Sequence, residues 1–264
     1  MNYKKDFTDF SVWLCREAGK ILMSGFRSKT TVVSYKSRTD MVTDIDRKSE
    51  EFITSIIKKE FPDHSIIAEE GGSYISGDEF KWYVDPLDAT NNFAHGIPFF
   101  CVSIGLWSKK ENSIISGVVC DPFHDEIFSA SLGKGSFCNE EKIHVSNTSD
   151  IGYALLSTGF PYAKDDMNKN NLRQFNKFLP KIQCIRRLGS AALDLCYLAC
   201  GRIDGYWEPM LHPWDTAAGS LIVTEAGGRV TKYNGDPFDP NFPEILASNG
   251  HIHNEMLKII NAQD

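Results

Sequence analysis

Between residues 82 and 139 the chain runs through five β-branched or aromatic stretches, WYVDP, FFCVSIGLWS, SIISGVVCDP, DEIFSASLG and GSFCN, separated by turn residues at hairpin spacing. This region predicts sheet, and the rest of the chain has to pack against it. On its N-terminal side the period changes. Phe7, Phe10, Leu14, Ala18, Ile21 and Leu22 fall at helical spacing, so the opening segment predicts an amphipathic helix ending near Gly25. A strand in TTVVSYK follows, then a helix carried by Ile45, Phe52, Ile53, Ile56 and Ile57 and closed by Pro62. HSIIAEEGG is a short apolar strand running into two acids and a glycine turn.

From residue 151 strand and helix patterns alternate. YALLSTG, CIRRLG, IDGYWE, RVTKY and EILASN are strands; NKNNLRQFNKFLP, SAALDLCYLACG and HPWDTAAGSLIVTEAGG are helices. Ser190 is placed to cap the second of these helices and Gly201 to close it. The prediction is an α/β or α+β fold forming one unit over 1–264, with possible halves 1–150 and 151–264 and no linker between them.

The 264 residues are 42% apolar, enough for a large core. No apolar run approaches the roughly 20 residues that span a bilayer, and the N-terminal apolar stretch carries charges. A cytoplasmic protein without membrane partners is expected. The seven cysteines are odd in number and scattered, without a C-x-x-C pair, which predicts reduced core thiols. Cys196 and Cys200 lie four apart, yet no His or further Cys completes a zinc set. The net charge of −7 argues against a nucleic-acid partner. SLGKGSF lacks the spacing of a phosphate loop and reads as a hairpin turn.

Carboxylates collect at the ends of predicted strands and the starts of predicted helices: Asp46, Glu69 with Glu70, Asp85 with Asp88, and Asp215. Acids at the rim of a sheet can converge on one cleft, and magnesium takes oxygen ligands from a few carboxylates plus a substrate phosphate. In DPLDAT, Pro86 fixes the turn so that both acids face one point, with the Leu87 carbonyl as a further oxygen. Taken alone, DPLDAT is also ordinary solvated turn chemistry. Thr90 adds a hydroxyl and an N–H two residues after Asp88, where a helix start would favour an anion.

AEEGG, WYVDPLDATNNFAHGIPFFCVSIGL and HPWDTAAGSLIVTEAGG, in this order, closely resemble the inositol monophosphatase family, whose motifs are D-P-x-D-G-T-x-N-F and W-D-x-A-A-G. KSRTDMVTDID and RRLGSAALDL match two further family segments, so the resemblance covers nearly the whole chain. It implies a layered α-β-α-β-α phosphomonoesterase, commonly dimeric and lithium-sensitive, using two or three magnesium ions. By position Glu69, Asp85, the Leu87 carbonyl, Asp88 and Asp215 would hold the metals. Thr90 paired with Asp46, together with Glu69, would serve the attacking water. Asp88, Ala89, Thr90 and Lys36 would meet the phosphate end of the substrate, and Gly189, Ala191 and Glu208 the alcohol end. Such a site asks for positioning and charge neutralisation rather than a side-chain nucleophile.

The family's usual glycine is Ala89 here, and Asn91 stands where Thr is frequent. Alanine keeps its N–H, and the phosphate contact is expected to survive provided φ is negative there. Glu70, the neighbour of Glu69 on a strand, is expected to support a ligand or face solvent rather than bind the metal itself. His95 reads as a loop residue, His212 as either an orienter of Asp215 or a helix start, and the His251/His253 pair as structural. Trp82 and Trp214 are expected in the core, and Arg186 and Arg187 at the surface or across a subunit contact. The metal residues do not separate inositol monophosphate from histidinol phosphate, fructose 1,6-bisphosphate or 3′-phosphoadenosine 5′-phosphate as substrate. A regulatory interaction protein on the same fold is the alternative from another class, and the complete acid set favours catalysis over it.

Overall fold

The computed structural model describes residues 6–35, 37, 41–162, 165–166 and 169–263. Helix α1 (Phe7–Gly25) is capped by the Asp6 side chain, which accepts from the Thr8 N–H, and it buries Phe10, Leu14, Ala18 and Leu22 on one stripe. The ribbon of β1 (Val33–Tyr35) and β2 (Met41–Thr43) leads into α2 (Asp44–Glu60), where Thr43 and Asp46 form a reciprocal capping box. Next come β3 (Ser65–Ala68), β4 (Gly72–Tyr74), β5 (Phe80–Asp88) and the short α3 (Thr90–Ala94). The meander follows as β6 (Cys101–Ser108), β7 (Ser113–Asp121), β8 (Glu126–Ser131), β9 (Gly135–Cys138) and β10 (Glu141–Lys142). Together β3 to β10 form an eight-stranded sheet in the order β10-β9-β8-β7-β6-β5-β3-β4.

The later part of the chain supplies β11 (Leu155–Thr158), α4 (Leu172–Phe178), β12 (Cys184–Arg186), α5 (Ala191–Ala199), β13 (Gly205–Pro209), α6 (Pro213–Glu225), β14 (Arg229–Thr231), β15 (Glu244–Ser248) and α7 (His253–Ile260). Its strands form a five-stranded sheet in the order β12-β11-β13-β15-β14. Helices α1 and α2 cover one face of the large sheet, α5 and α6 fill the space between the two sheets, and α4 and α7 contact one another beside the smaller one. The layers are therefore α-β-α-β-α, in line with the resemblance. The sequence pattern had left α7 unassigned, although Met256, Ile259 and Ile260 are buried along one of its faces.

Helix α6 sits unusually close to the large sheet because Gly105 and Gly117 pair across β6 and β7 beneath it. A Cβ at Gly105 would come within 2.9 Å of the Ala217 side chain, and one at Gly117 within 2.6 Å of the Ala218 carbonyl oxygen. The far end of the helix is held as well: the Glu225 carboxylate accepts from the N–H groups of Gly133 and Gly135 in the SLGKGSF hairpin, at 2.7 and 2.8 Å. Fully buried aromatic side chains, among them Trp82, Tyr83, Phe100, Tyr206 and Trp207, anchor the layers, each contributing about 1.5–3 kcal/mol of burial.

Candidate active site

Strands β3 and β5 are parallel neighbours, so their C-terminal ends reach the same edge of the sheet. Glu69, just past β3, and the acids of β5 are thereby delivered to one place. Within β5 the DPLD segment is a bulge, not the solvated turn that its composition permits. Asp85 opposes Ser103 and Asp88 opposes Cys101, with a register shift between them. Three residues apart on a regular strand, the two acids would point to opposite faces; the extra residue returns both to one side. The Asp85 carboxylate accepts from the Leu87 N–H at 3.0 Å, and Ser49 on α2 donates to the Pro86 carbonyl at 2.9 Å.

Asp215 arrives from the other direction, at the start of α6, where its carboxylate accepts from the His212 N–H at 2.7 Å. His212 is thus both the helix start and an orienter of Asp215, the two roles that the sequence left open. These groups line a cavity of about 280 Å³ together with Leu87, Ala89, Thr90, Gly189, Ala191 and Glu208. Asp46 lies immediately behind. Its Oδ1 accepts from the Thr90 hydroxyl at 2.8 Å, and its Oδ2 accepts from the Thr43 N–H and hydroxyl at 2.9 and 2.5 Å. Lys36 lies outside the described residues.

The electrostatics carry a consistent sign. Burial pushes the Asp85 carboxyl well above the ordinary carboxylate range, and the negative fields of Glu69, Asp88 and Asp215 add to it. Asp215 is raised by burial and then by Asp88. Asp88 is raised by burial, against the opposing hydrogen bonds from Ser190 and the Ala192 N–H. Among the described lining residues Arg187 is the only guanidinium and no lysine is present, and beyond the effect of burial Asp85 and Asp215 each feel the negative fields of neighbouring acids. An all-oxygen donor set under mutual repulsion suits a hard divalent ion. Among the described residues no three His, Cys, Asp or Glu side chains close into a ready-made cage, and magnesium, which keeps waters and uses substrate phosphate, does not need one.

One expectation is overturned and three others hold only in part. Ala89 adopts φ 72° and ψ 47°, the left-handed region, so the condition of a negative φ is not met and the alanine carries about 1–2 kcal/mol of strain that glycine would not. Arg187 is exposed, as a surface residue would be, but it also lines the cavity, where its positive field partly opposes the burial that raises Glu208 and Asp194. Trp82 is fully buried as expected; Trp214 packs against the core but is only partly buried, and it also lines the cavity with its ring stacked on His212, centroids 4.7 Å apart. His251 and His253 diverge: His253 is buried between Thr231 and Ser248, and His251 is exposed.

Sequence reasoning also missed the wall opposite the acids. Gly159 to Tyr162 after β11, with Met210 and Leu211 after β13, complete the cavity. Glu208 lies against Gly159, where any Cβ would collide with its carboxylate. Its Oε2 accepts from the Tyr206 hydroxyl at 2.5 Å, and burial pushes its pKa up to about 7. The left-handed φ of 63° at Met210 turns the chain back along the rim. None of these residues forms a local motif; the one available signal was that IDGYWE and YALLSTG end as neighbouring strands.

The sequence profile of the inositol monophosphatase family matches residues 4–263. An inositol-1-monophosphatase of Synechocystis is 42% identical over 97% of this chain and 91% of its own. The Nus factor SuhB of Pasteurella multocida is 39% identical over 96% of this chain and 94% of its own. Among solved structures, the extragenic suppressor protein suhB of Bartonella henselae superposes with a TM-score of 0.91 at 36% identity, covering 97% of this chain and 98% of that one.

Proposed function

The chain belongs to the inositol monophosphatase family and is a phosphatase of that superfamily; from that premise we propose that it hydrolyses inositol monophosphate, or a similar small polyol phosphate, with magnesium. The observation that carries this reading is the convergence of Glu69, Asp85, Asp88 and Asp215 on one cavity that also receives the Thr90–Asp46 pair. Glu69, Asp85, the Leu87 carbonyl, Asp88 and Asp215 would hold two or three magnesium ions. Bound there, magnesium supplies neutralisation of the phosphate charge and a lowered pKa for water.

The protein's own groups do the rest. The Thr90 hydroxyl lies 2.8 Å from Asp46 Oδ1 and 3.1 Å from the Leu87 carbonyl oxygen; with its proton donated to the nearer carboxylate it can accept from the attacking water, and Asp46, whose other oxygen is held by Thr43, would receive the proton through Thr90. Ala89 and Thr90 present the phosphate end of the site, with Lys36 as a further candidate there. With Oε2 of Glu208 occupied by Tyr206, Oε1 remains to accept from a substrate hydroxyl. Gly189 and Ala191 leave room for the ring of a polyol. A carboxylate at this position supports an alcohol-rich substrate, while Arg187 offers a single positive charge for any second anionic group.

Phosphate release from inositol 1-phosphate, histidinol phosphate, fructose 1,6-bisphosphate and 3′-phosphoadenosine 5′-phosphate tests the proposal in magnesium, in EDTA, and in magnesium plus lithium. Magnesium-dependent, lithium-inhibited release with preference for the inositol ester is expected; no release from any of them overturns it. The reading extends to a cytoplasmic homodimer without membrane or nucleic-acid partners. Among the described residues no helix is long and apolar enough to cross a membrane. A regulatory role beside catalysis is favoured by relatives named as Nus factors, and the complete acid set supports catalysis as the main activity.

A further inference from the structure

We propose that Ser190 is a positioning residue for metal binding: its hydroxyl ties the start of α5 to Asp88 and turns that carboxylate so that Oδ1 alone is left to the cavity. The inference rests on the reading of Asp88 as a magnesium ligand. Three donors converge on Asp88 Oδ2: the Ser190 hydroxyl at 2.5 Å, the Ala192 N–H at 2.9 Å and, more weakly, the Cys101 thiol at 3.8 Å. The Cys101 sulfur also lies 3.7 Å from Ser190 Oγ.

The direction of the Ser190 hydroxyl is fixed by its second duty. As the cap of α5 it accepts from the Leu193 N–H at 3.1 Å, which occupies a lone pair and leaves its single proton to point at the carboxylate. A short O–H donated to a charged oxygen belongs to the stronger class of hydrogen bonds. Ser190 and Asp88 are 1% and 9% exposed, so bulk water does not replace the bond when the hydroxyl is removed. Ala191, the next residue, lines the cavity. One hydroxyl therefore fixes a metal ligand and the first turn of the substrate wall relative to each other.

A merely structural role would act through the helix cap, and substitutions separate the two. Ser190→Ala removes cap and donor together; Ser190→Gly removes the donor while glycine still caps nearly as well as serine; Ser190→Thr keeps both. Asp6→Ala removes a different cap, that of α1. The readout is magnesium dissociation by isothermal titration calorimetry on the full chain without substrate, alongside thermal melting.

Weakening of about 10–100-fold is expected for Ser190→Ala and Ser190→Gly, with Ser190→Thr close to the parent and Asp6→Ala changed in melting only. Parental affinity in Ser190→Gly overturns the proposal, as does equal weakening in Asp6→Ala. Asp88→Asn separates the two levels. If it binds magnesium like the parent, the reading of Asp88 fails and the inference falls with it; if it binds weakly while Ser190→Gly is unchanged, only the inference fails.

Discussion

On the acid wall of the cavity, supplied by the large sheet and the helix starts around it, the carboxylates are gripped. Asp46 is held by Thr43 and Thr90, Asp85 by its own loop, Asp88 by the start of α5, and Asp215 by the N–H of His212. On the opposite wall, supplied by the small sheet, Tyr162 and Met210 are 47% and 46% exposed, and Glu208 is the acid held there, by Tyr206. The contrast separates two demands. On the proposed function, charge must be placed to within a fraction of an ångström where bonds break, and hydroxyl and backbone donors from neighbouring elements suit that demand. Recognition of the alcohol tolerates adjustment, and exposed side chains on loops allow it.

Substitutions on the acid wall should abolish turnover without unfolding the protein. Asp88→Asn is expected to cut phosphate release by at least ~100-fold while the melting temperature holds or rises, because a repelled buried charge is gone; normal turnover would refute the assignment. Thr90→Ala should lower kcat by about 100-fold or more, with magnesium affinity little changed in calorimetry. On the opposite wall Arg187→Gln should act differently, shifting kcat/KM between inositol phosphate and a bisphosphate by roughly 10-fold, mainly through KM. A fall in kcat as large as that of Thr90→Ala would erase the distinction between the walls.

Proton linkage sharpens the same comparison. The pKa of Glu208 rises from 4.5 to about 7 on folding, so between those values the folded state binds more protons than the unfolded one. Its contribution to stability is present below pH 4.5 and is lost as pH rises through 7. Asp85 and Asp215 shift in the same direction. Melting of the metal-free protein should therefore fall as pH rises across this window. Magnesium should restore the share due to the acid wall, and Glu208→Gln should flatten the remainder; a slope indifferent to both would contradict the burial of these carboxyls. The smallest effect is expected at Ala89→Gly, which should raise stability by about 1 kcal/mol in denaturant titration and leave turnover near the parent.

Most of the acid wall was legible because its residues are close in sequence or stand at element boundaries. Five residues after Trp82, Tyr83 and Val84 already contain both β5 acids, and Pro-Trp-Asp announces a helix start with a carboxylate in its first turn. The bulge that brings Asp85 and Asp88 to one face was not legible, since it depends on the register with β6. Nor was the sign of φ at Ala89, which follows from the turn between β5 and α3. Arg187 and the 159–162 loop reach the cavity only through the pairing of β11 with β12 and β13, and no local pattern encodes that pairing.

The glycine pair beneath α6 bears on how a mutational screen of this protein should be scored. Gly105 and Gly117 contain no functional group, yet the helix that rests on them carries Asp215 at its first turn. A methyl group at either glycine would force the helix or the sheet to shift, and a shift of the helix would carry the Asp215 carboxylate with it. If Asp215 is a metal ligand as proposed, such a variant would register as a metal-binding defect with every proposed ligand still in place. Inactive clones at these two positions therefore report on spacing, and extra magnesium in the growth medium, rather than a chaperone, is the condition under which they should reappear.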